Sequence, residues 1–142
     1  MRRPFGPALL LAAVALAACQ SGPAASSPSP PATAASIRVA DESGSPGPLR
    51  LSSLARLKID SAYAAVPGRH TQRIDVIDPH GALYGPIRNQ VDVGADGTVK
   101  ASQALEVAGT TIEKYHMVGT WHFVLVLDEG PPLVSAAIDL TD

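Results

Sequence analysis

The feature that most constrains the fold is a series of short runs in which apolar and polar residues alternate between turn residues. The clearest run is TWHFVLVLD (residues 120–128), in which Trp121, Phe123, Leu125 and Leu127 occupy every second position. Successive side chains of a β-strand point to opposite faces, so this spacing places the four residues on one face. Repeated runs of this kind at intervals of about ten residues predict an all-β sandwich or barrel.

The other alternating runs divide the chain after residue 53 into segments of strand length. They lie at residues 54–64, 70–78, 89–94, 98–102, 110–118 and 133–140. With residues 120–128 they predict about seven strands in one domain that covers residues 49–140. In front of this domain, Ile37 and Val39 alternate with polar residues, which indicates a further short strand at residues 37–40.

Two stretches between the runs carry the residues that tight turns require. Residues 78–81 (DPHG) have an acceptor first, a proline second and a glycine last, as a type I turn prefers. Asp96-Gly97 is a strong hairpin signal between flanking valines. It predicts that residues 89–94 and 98–102 pair with each other.

The two faces of the run at residues 120–127 have different expected roles. The face with Trp121 should belong to the core, because Trp121 is the only tryptophan of the chain and shares its face with Phe123. The opposite face carries His122, Val124 and Val126, which is an unusually apolar set for a surface in water. It is either covered by a loop or by the N-terminal segment, or it is a partner-binding surface.

The N-terminus has the pattern of a cleaved secretory signal. Arg2 and Arg3 precede an uninterrupted apolar run at residues 9–18, which is shorter than the roughly 20 residues that a membrane-spanning helix needs. The sequence Leu16-Ala17-Ala18-Cys19 at its end resembles the lipobox of bacterial lipoproteins. The resemblance implies that residues 1–18 are removed and that Cys19 receives a thioether-linked diacylglycerol and an N-acyl chain such as palmitate.

The residues after Cys19 predict a tether on a membrane. Residues 20–36 contain almost only Ser, Pro, Ala, Gly and Thr, which cannot bury enough apolar surface to fold, so we expect residues 19–48 to form a disordered tether. Two or more acyl chains hold a protein stably on a bilayer. Lipoproteins retained at the inner membrane commonly have Asp after the lipidated cysteine. Gln20 stands there instead, which favours the outer membrane, facing the periplasm or the cell surface.

A second resemblance concerns the folded domain. Residues 66–84 (VPGRHTQRIDVIDPHGALY) and 118–140 (VGTWHFVLVLDEGPPLVSAAIDL) resemble the immunoglobulin-like and macroglobulin-like modules of bacterial envelope proteins. The resemblance implies a single immunoglobulin-like antiparallel β-sandwich. Cys19 is the only cysteine, so the domain cannot contain the disulfide of antibody domains.

Composition and motifs argue against several functions. Without Arg2 and Arg3, nine basic residues remain against 13 acidic ones, and no basic patch indicates nucleic-acid binding. The sequence contains no Gly-x-Ser-x-Gly, no His-Glu-x-x-His and no phosphate-binding glycine loop. We therefore predict that the protein is not an enzyme, and we assign no catalytic residue, metal site or cofactor.

Two hypotheses of function follow from the sequence. The first is a membrane-anchored envelope lipoprotein that presents its β-sandwich as a structural or protein-interaction module for an unknown envelope protein. The alternative is a periplasmic protein that binds copper or another small ligand, because His116, Met117 and His122 lie near one predicted hairpin and soft ligands suit copper. His70 and His80 lie beside a loop and in a turn, where exposed polar residues are common.

Overall fold

The computed structural model describes residues 34–142, which form a two-layer β-sandwich. Cys19, the predicted signal peptide and most of the predicted tether therefore lie outside the described residues. The strands are β1 (Ser36–Ala40), β2 (Leu49–Arg50), β3 (Arg56–Ala64), β4 (Gly68–Ile77), β5 (Leu83–Val93), β6 (Thr98–Glu106), β7 (Gly119–Leu127) and β8 (Pro132–Thr141). A turn of 3-10 helix (Leu51–Ser53) and one short helix, α1 (Thr111–Lys114), complete the fold. In this part of the chain, no helix is long and apolar enough to cross a membrane.

The strands form two sheets, which confirms the prediction of an all-β sandwich. The smaller sheet has the order β1-β3-β6, and the larger has the order β2-β8-β7-β4-β5. Every pair of neighbours is antiparallel except β2 and β8, which run parallel over two residue pairs. The chain changes sheet at every connection between strands except those between β4 and β5 and between β7 and β8, as in an immunoglobulin-like fold.

The inward-facing residues of both sheets make one apolar core. Trp121, Phe123 and Leu125 of β7 are fully buried, as the alternation predicts, and Leu127 is partly buried against the same core. The indole Nε1 of Trp121 donates a hydrogen bond to the carbonyl oxygen of Met117 at 3.0 Å. Because the polar atom of the ring is thereby satisfied, the tryptophan can lie in the core at no polar cost.

The sandwich begins earlier in the chain than predicted. The short strand expected at residues 37–40 is present as β1, and it pairs with residues 58–62 of β3. Val39 and Ala40 are both 5% exposed, so β1 contributes to the core as well as to the sheet. The folded domain therefore starts near Ser36 and not at Leu49, because burial of these two side chains holds β1 in place.

The segment at residues 110–118, expected to be a strand, contains α1 instead. The Thr110 hydroxyl accepts a hydrogen bond from the N–H of Ile112, and the Glu113 carboxylate accepts one from the N–H of Gly109. The first contact satisfies a backbone donor that the start of a helix leaves free, and the second ties the carboxylate of Glu113 to the residue before the N-cap. Ile112 is fully buried, so one apolar residue anchors this short helix to the core.

The predicted hairpin at Asp96-Gly97 is also wrong. The turn is present, with the N–H of Gly97 donating to the carbonyl oxygen of Gly94 at 3.0 Å. It does not join paired strands, because β5 pairs with β4 and β6 pairs with β3 in the other sheet. Val93 before the turn and Val99 after it are both buried, so the turn carries the chain across the core from one sheet to the other.

The type I turn predicted at residues 78–81 is present. The N–H of Gly81 donates to the carbonyl oxygen of Asp78 at 2.9 Å, and Gly81 has a positive φ of 83°. The Asp78 carboxylate accepts from the N–H groups of His80 and Ala82, each at 2.9 Å. The aspartate thus fixes the connection between β4 and β5.

Candidate interaction surface

The structure separates the three residues that the sequence suggested as a partner surface. His122 is exposed, Val124 is half-buried and Val126 is 2% exposed. Val126 lies in register between Arg73 of β4 and Pro132 of β8, so a neighbouring strand flanks it on each side. Of the three residues, only His122 and Val124 can therefore belong to an accessible surface.

The neighbours of these two residues complete the surface. Asp75 of β4 lies opposite Val124, and Ile77 lies opposite His122. On the other side, Ser135 and Ala137 of β8 are exposed and lie opposite Val124 and His122. We call this set the outer surface; its residues are Asp75, Ile77, His122, Val124, Ser135 and Ala137. It has small or apolar side chains at its centre and one charged residue on its side toward β4.

An ion-pair network borders the outer surface. Arg73 lies beside Asp75 on β4, with its Nε 2.9 Å from Oδ1 and its Nη2 3.2 Å from Oδ2. Arg73 also contacts the carboxylate of Glu129, and Arg88 of β5 lies 3.9 Å from the same carboxylate. The Arg73 side chain is only 19% exposed, so these contacts hold it against the sheet. Val124 therefore has a positioned, charged neighbour.

The network ends at the tip of the hairpin between β7 and β8. The N–H of Gly130 donates to the carbonyl oxygen of Leu127 at 2.9 Å, and the central residues Asp128 and Glu129 have φ values of 49° and 55°. This is a type I′ turn, which favours Asn and Gly because other residues are strained at positive φ. The side-chain contacts of Asp128 and Glu129 with β4 offset that strain.

His70 holds the other side of the hairpin tip. Its Nδ1 lies 2.5 Å from Asp128 Oδ2, and its Nε2 lies 2.7 Å from the carbonyl oxygen of Val66. Asp128 Oδ1 also accepts a hydrogen bond from the N–H of Thr71 at 2.8 Å. Since both ring nitrogens face acceptors, the doubly protonated imidazolium satisfies both contacts.

This pairing shifts the pKa of both partners. The hydrogen bond to Asp128, and then the one to Val66, raises the pKa of His70 above its ordinary value of 6.5. The hydrogen bond from His70, and then the one from the Thr71 N–H, lowers the pKa of Asp128 below its ordinary value of 3.8. From the sequence, His70 is expected to be an exposed residue beside a loop. No local pattern in the sequence indicates that it contacts Asp128, which is distant in the chain.

The core contains a polar cluster that the sequence analysis also missed. Gln72 is fully buried, and its Oε1 accepts hydrogen bonds from the hydroxyls of Tyr63 at 2.8 Å and Ser61 at 3.4 Å. Burial raises the pKa of Tyr63 to about 12. Within residues 34–142, Gln72 Nε2 and the Oδ1 of Asn89, its register partner on β5, have no hydrogen-bond partner. These contacts join the two sheets, so the cluster has a structural role.

The residues of the copper hypothesis do not form a site. His116 is strongly exposed, with its Nδ1 4.0 Å from Asp142 Oδ1, whereas Met117 packs partly buried against the core. His122 lies on the outer surface described above. Across residues 34–142, no group of three or more His, Cys, Asp or Glu residues is arranged to hold a metal ion. The geometry therefore gives the copper hypothesis no support.

Comparisons with known proteins assign no family. No family model and no curated protein matches the sequence. Among solved structures, the chain is similar to a provisionally assigned beta-galactosidase from Bacteroides fragilis, with a TM-score of 0.44 and 12% sequence identity. The similarity covers 71% of this chain and 15% of the other. It carries no argument about activity.

Proposed function

We propose that this protein is a lipid-anchored envelope protein whose β-sandwich is a protein-interaction module. The observation that carries the proposal is the outer surface, where exposed His122 and half-buried Val124 lie beside Asp75, which Arg73 holds in place. An accessible apolar centre with a positioned charge at its border is the composition that protein interfaces use. The partner is an envelope protein that supplies an apolar side chain to the centre and a donor to Asp75.

The anchor in this proposal is Cys19. The lipobox resemblance of Leu16-Ala17-Ala18-Cys19 supports it, together with the length and composition of the leader. About 16 residues separate Cys19 from β1, and in an extended conformation of about 3 Å per residue they reach about 50 Å. That reach suffices to place the sandwich clear of a membrane surface.

The direction of the strands supports the same arrangement. Ser36, the first residue of β1, lies opposite Ala62 near the end of β3, which leads directly into β4. Leu127, the last residue of β7, lies opposite Gln72 in the first half of β4, so the hairpin tip and the N-terminus of β1 share one end of the sandwich. His122 lies opposite the last residue of β4. An anchored domain would therefore present the His122 end away from the membrane.

Lipidation can be tested at the single cysteine. Cells that produce the full chain are fed labelled palmitate, and incorporation is compared with that in the Cys19→Ser variant. We expect label in the membrane fraction for the native chain and none for the variant, because acylation requires the thiol of Cys19. Equal labelling of the two chains contradicts the anchor.

The outer surface can be tested by site-specific photo-cross-linking in intact cells. A photoreactive phenylalanine analogue at His122 should give a discrete cross-linked product, and one at Ser135 should give a product of the same size. The matched control is the same analogue at Lys58, which is exposed on the other sheet. If His122 and Lys58 give the same products, or if His122 gives none, the outer surface is not the interface.

A further inference from the structure

The free edge of β6 is a second surface that could bind a strand. In the described part of the chain, β6 pairs with β3 on one side, and its other side has no strand neighbour. β6 is nine residues long and contains no proline. The free edge of β5 in the other sheet differs, because Pro86 interrupts its row of backbone donors.

The hydrogen-bond pattern identifies the free backbone groups of β6. The carbonyl oxygen of Gly97 accepts from the N–H of Ala65, and the N–H of Val107 donates to the carbonyl oxygen of Ala55, both at 2.9 Å. The odd-numbered residues of β6 therefore face β3, because facing directions alternate along an antiparallel strand. The even-numbered residues point their N–H and C=O groups to the open side; they are Thr98, Lys100, Ser102, Ala104 and Glu106.

A second copy of β6 matches this edge in one register. With Gln103 on a two-fold axis, an antiparallel copy places Lys100 opposite Glu106 and Ser102 opposite Ala104. Even-numbered residues then face even-numbered ones, so the free donors of each chain meet free acceptors of the other. Two-fold symmetry makes each of these contacts occur twice.

The charges of the edge fit this register. Among residues 34–142, Lys100 has no ion-pair partner within 4.0 Å, and Glu106 lies 3.7 Å from Arg56, which is closer to Glu42 at 2.9 Å. A facing Glu106 would give Lys100 a partner, since opposite charges directly across an antiparallel pair are stabilising. The same register places Ala101 opposite Leu105, a small residue opposite a large one.

The inward side of β6 is incompletely covered. Ala101, Gln103 and Leu105 face the core but are only half-buried, whereas Ile59, the register partner of Gln103 on β3, is fully buried. The same three residues of a facing copy would cover them. Exposed edges with unpaired backbone groups and apolar side chains are sites where natural proteins either block or use strand pairing.

We propose that two copies of this chain associate through antiparallel pairing of their β6 strands, with the two-fold axis at Gln103. The product is a continuous six-stranded sheet with the order β1-β3-β6-β6-β3-β1. This association does not rest on the proposed function, because it uses the edge of the smaller sheet and not the outer surface.

Disulfide trapping tests the register in the full chain. In a Cys19→Ser background, Gln103→Cys leaves one thiol, and the axis brings it opposite itself with a Cα–Cα distance of about 4.5 Å, which a disulfide can span. We expect mild oxidation to give a covalent dimer. Lys100→Cys alone should stay monomeric on a denaturing gel, whereas a mixture of Lys100→Cys and Glu106→Cys should form the mixed dimer.

Charge exchange tests the same contact without a cross-link. The dimer dissociation constant is measured by sedimentation of the Cys19→Ser chain. Lys100→Glu should raise it about tenfold or more, because two attractive pairs become repulsive. The double exchange Lys100→Glu with Glu106→Lys should restore it. Circular dichroism is used to check that each variant is folded.

Three outcomes overturn the proposal. The first is a folded Cys19→Ser chain that remains monomeric at every concentration measured. The second is trapping of Lys100→Cys alone in preference to Gln103→Cys, which means another register. The third is a dissociation constant that Lys100→Glu leaves unchanged. If dimerisation fails while His122 still gives its cross-linked product, the proposed function remains supported and only the β6 contact is lost.

Discussion

At the scale of single residues, the tip of the β7–β8 hairpin is held by side-chain contacts in addition to the turn propensity of Asp128. Asp128 and Glu129 occupy left-handed conformations, in which most residues other than Gly, Asn and Asp are unfavourable. Asp128 binds His70 and the N–H of Thr71, and Glu129 binds Arg73. The charged contacts with β4 thus hold a turn in which Glu129 occupies an unfavourable conformation.

We predict that the contribution of His70 to stability depends on pH. Because the pKa of His70 is raised above 6.5, its contribution is present below pH 6.5 and is lost as the pH rises through the folded-state pKa. The pKa of Asp128 is lowered below 3.8, so its contribution is present above pH 3.8 and is lost as the pH falls through its folded-state pKa. The pair therefore stabilises the fold most between these limits.

The measurement is a thermal melt of the native chain and of His70→Gln at about pH 5.5 and about pH 8.5. The difference in melting temperature between the two proteins should be larger at the lower pH. His80→Gln is the control, because His80 is exposed in the turn between β4 and β5. An equal difference for His70→Gln at both pH values contradicts the prediction.

At the scale of elements, two errors in the prediction have different causes. The signal for α1 was present, since Thr110 followed three residues later by Glu113 is the pattern of a capping box. The segment at residues 110–118 was nevertheless predicted to be a strand, because its apolar and polar residues were given more weight than the capping box. The hairpin at Asp96-Gly97 had no such counter-signal, because a local turn does not determine which strand the next segment pairs with.

β1 gives the prediction at this scale. A chain that starts at Leu49 lacks Val39, whose burial contributes about 1.5–3 kcal/mol, and also lacks the hydrogen bonds of β1 with β3. Compared with a chain that starts at Ala34, we expect its melting temperature to be lower by about 10 °C or more. Circular dichroism on both chains checks this. Equal melting temperatures would show that β1 is dispensable and that the domain starts near Leu49.

At the scale of the whole molecule, the division into three and five strands determines which surfaces are available. The larger sheet presents an outer face in which Val124 and His122 border the Arg73–Asp75 ion pair. The smaller sheet ends in the free edge of β6. One surface uses side chains and the other uses mainly backbone groups of a strand edge, so the two proposed contacts can be tested separately, by cross-linking from His122 and by substitution of Lys100.

The sequence by itself determined the fold class and the side of β7 that forms the core. Both follow from alternation with a period of two, a local property in which Trp121, Phe123 and Leu125 share one face. The turn that starts at Asp78 was also predictable, because its residues are consecutive and it is therefore a local property as well. Only the tertiary structure decided that Val126 is covered, that His70 meets Asp128 and that β6 is an open edge. Each of these depends on which distant strands become neighbours, and strand pairing is set by burial across the whole core and not by local sequence.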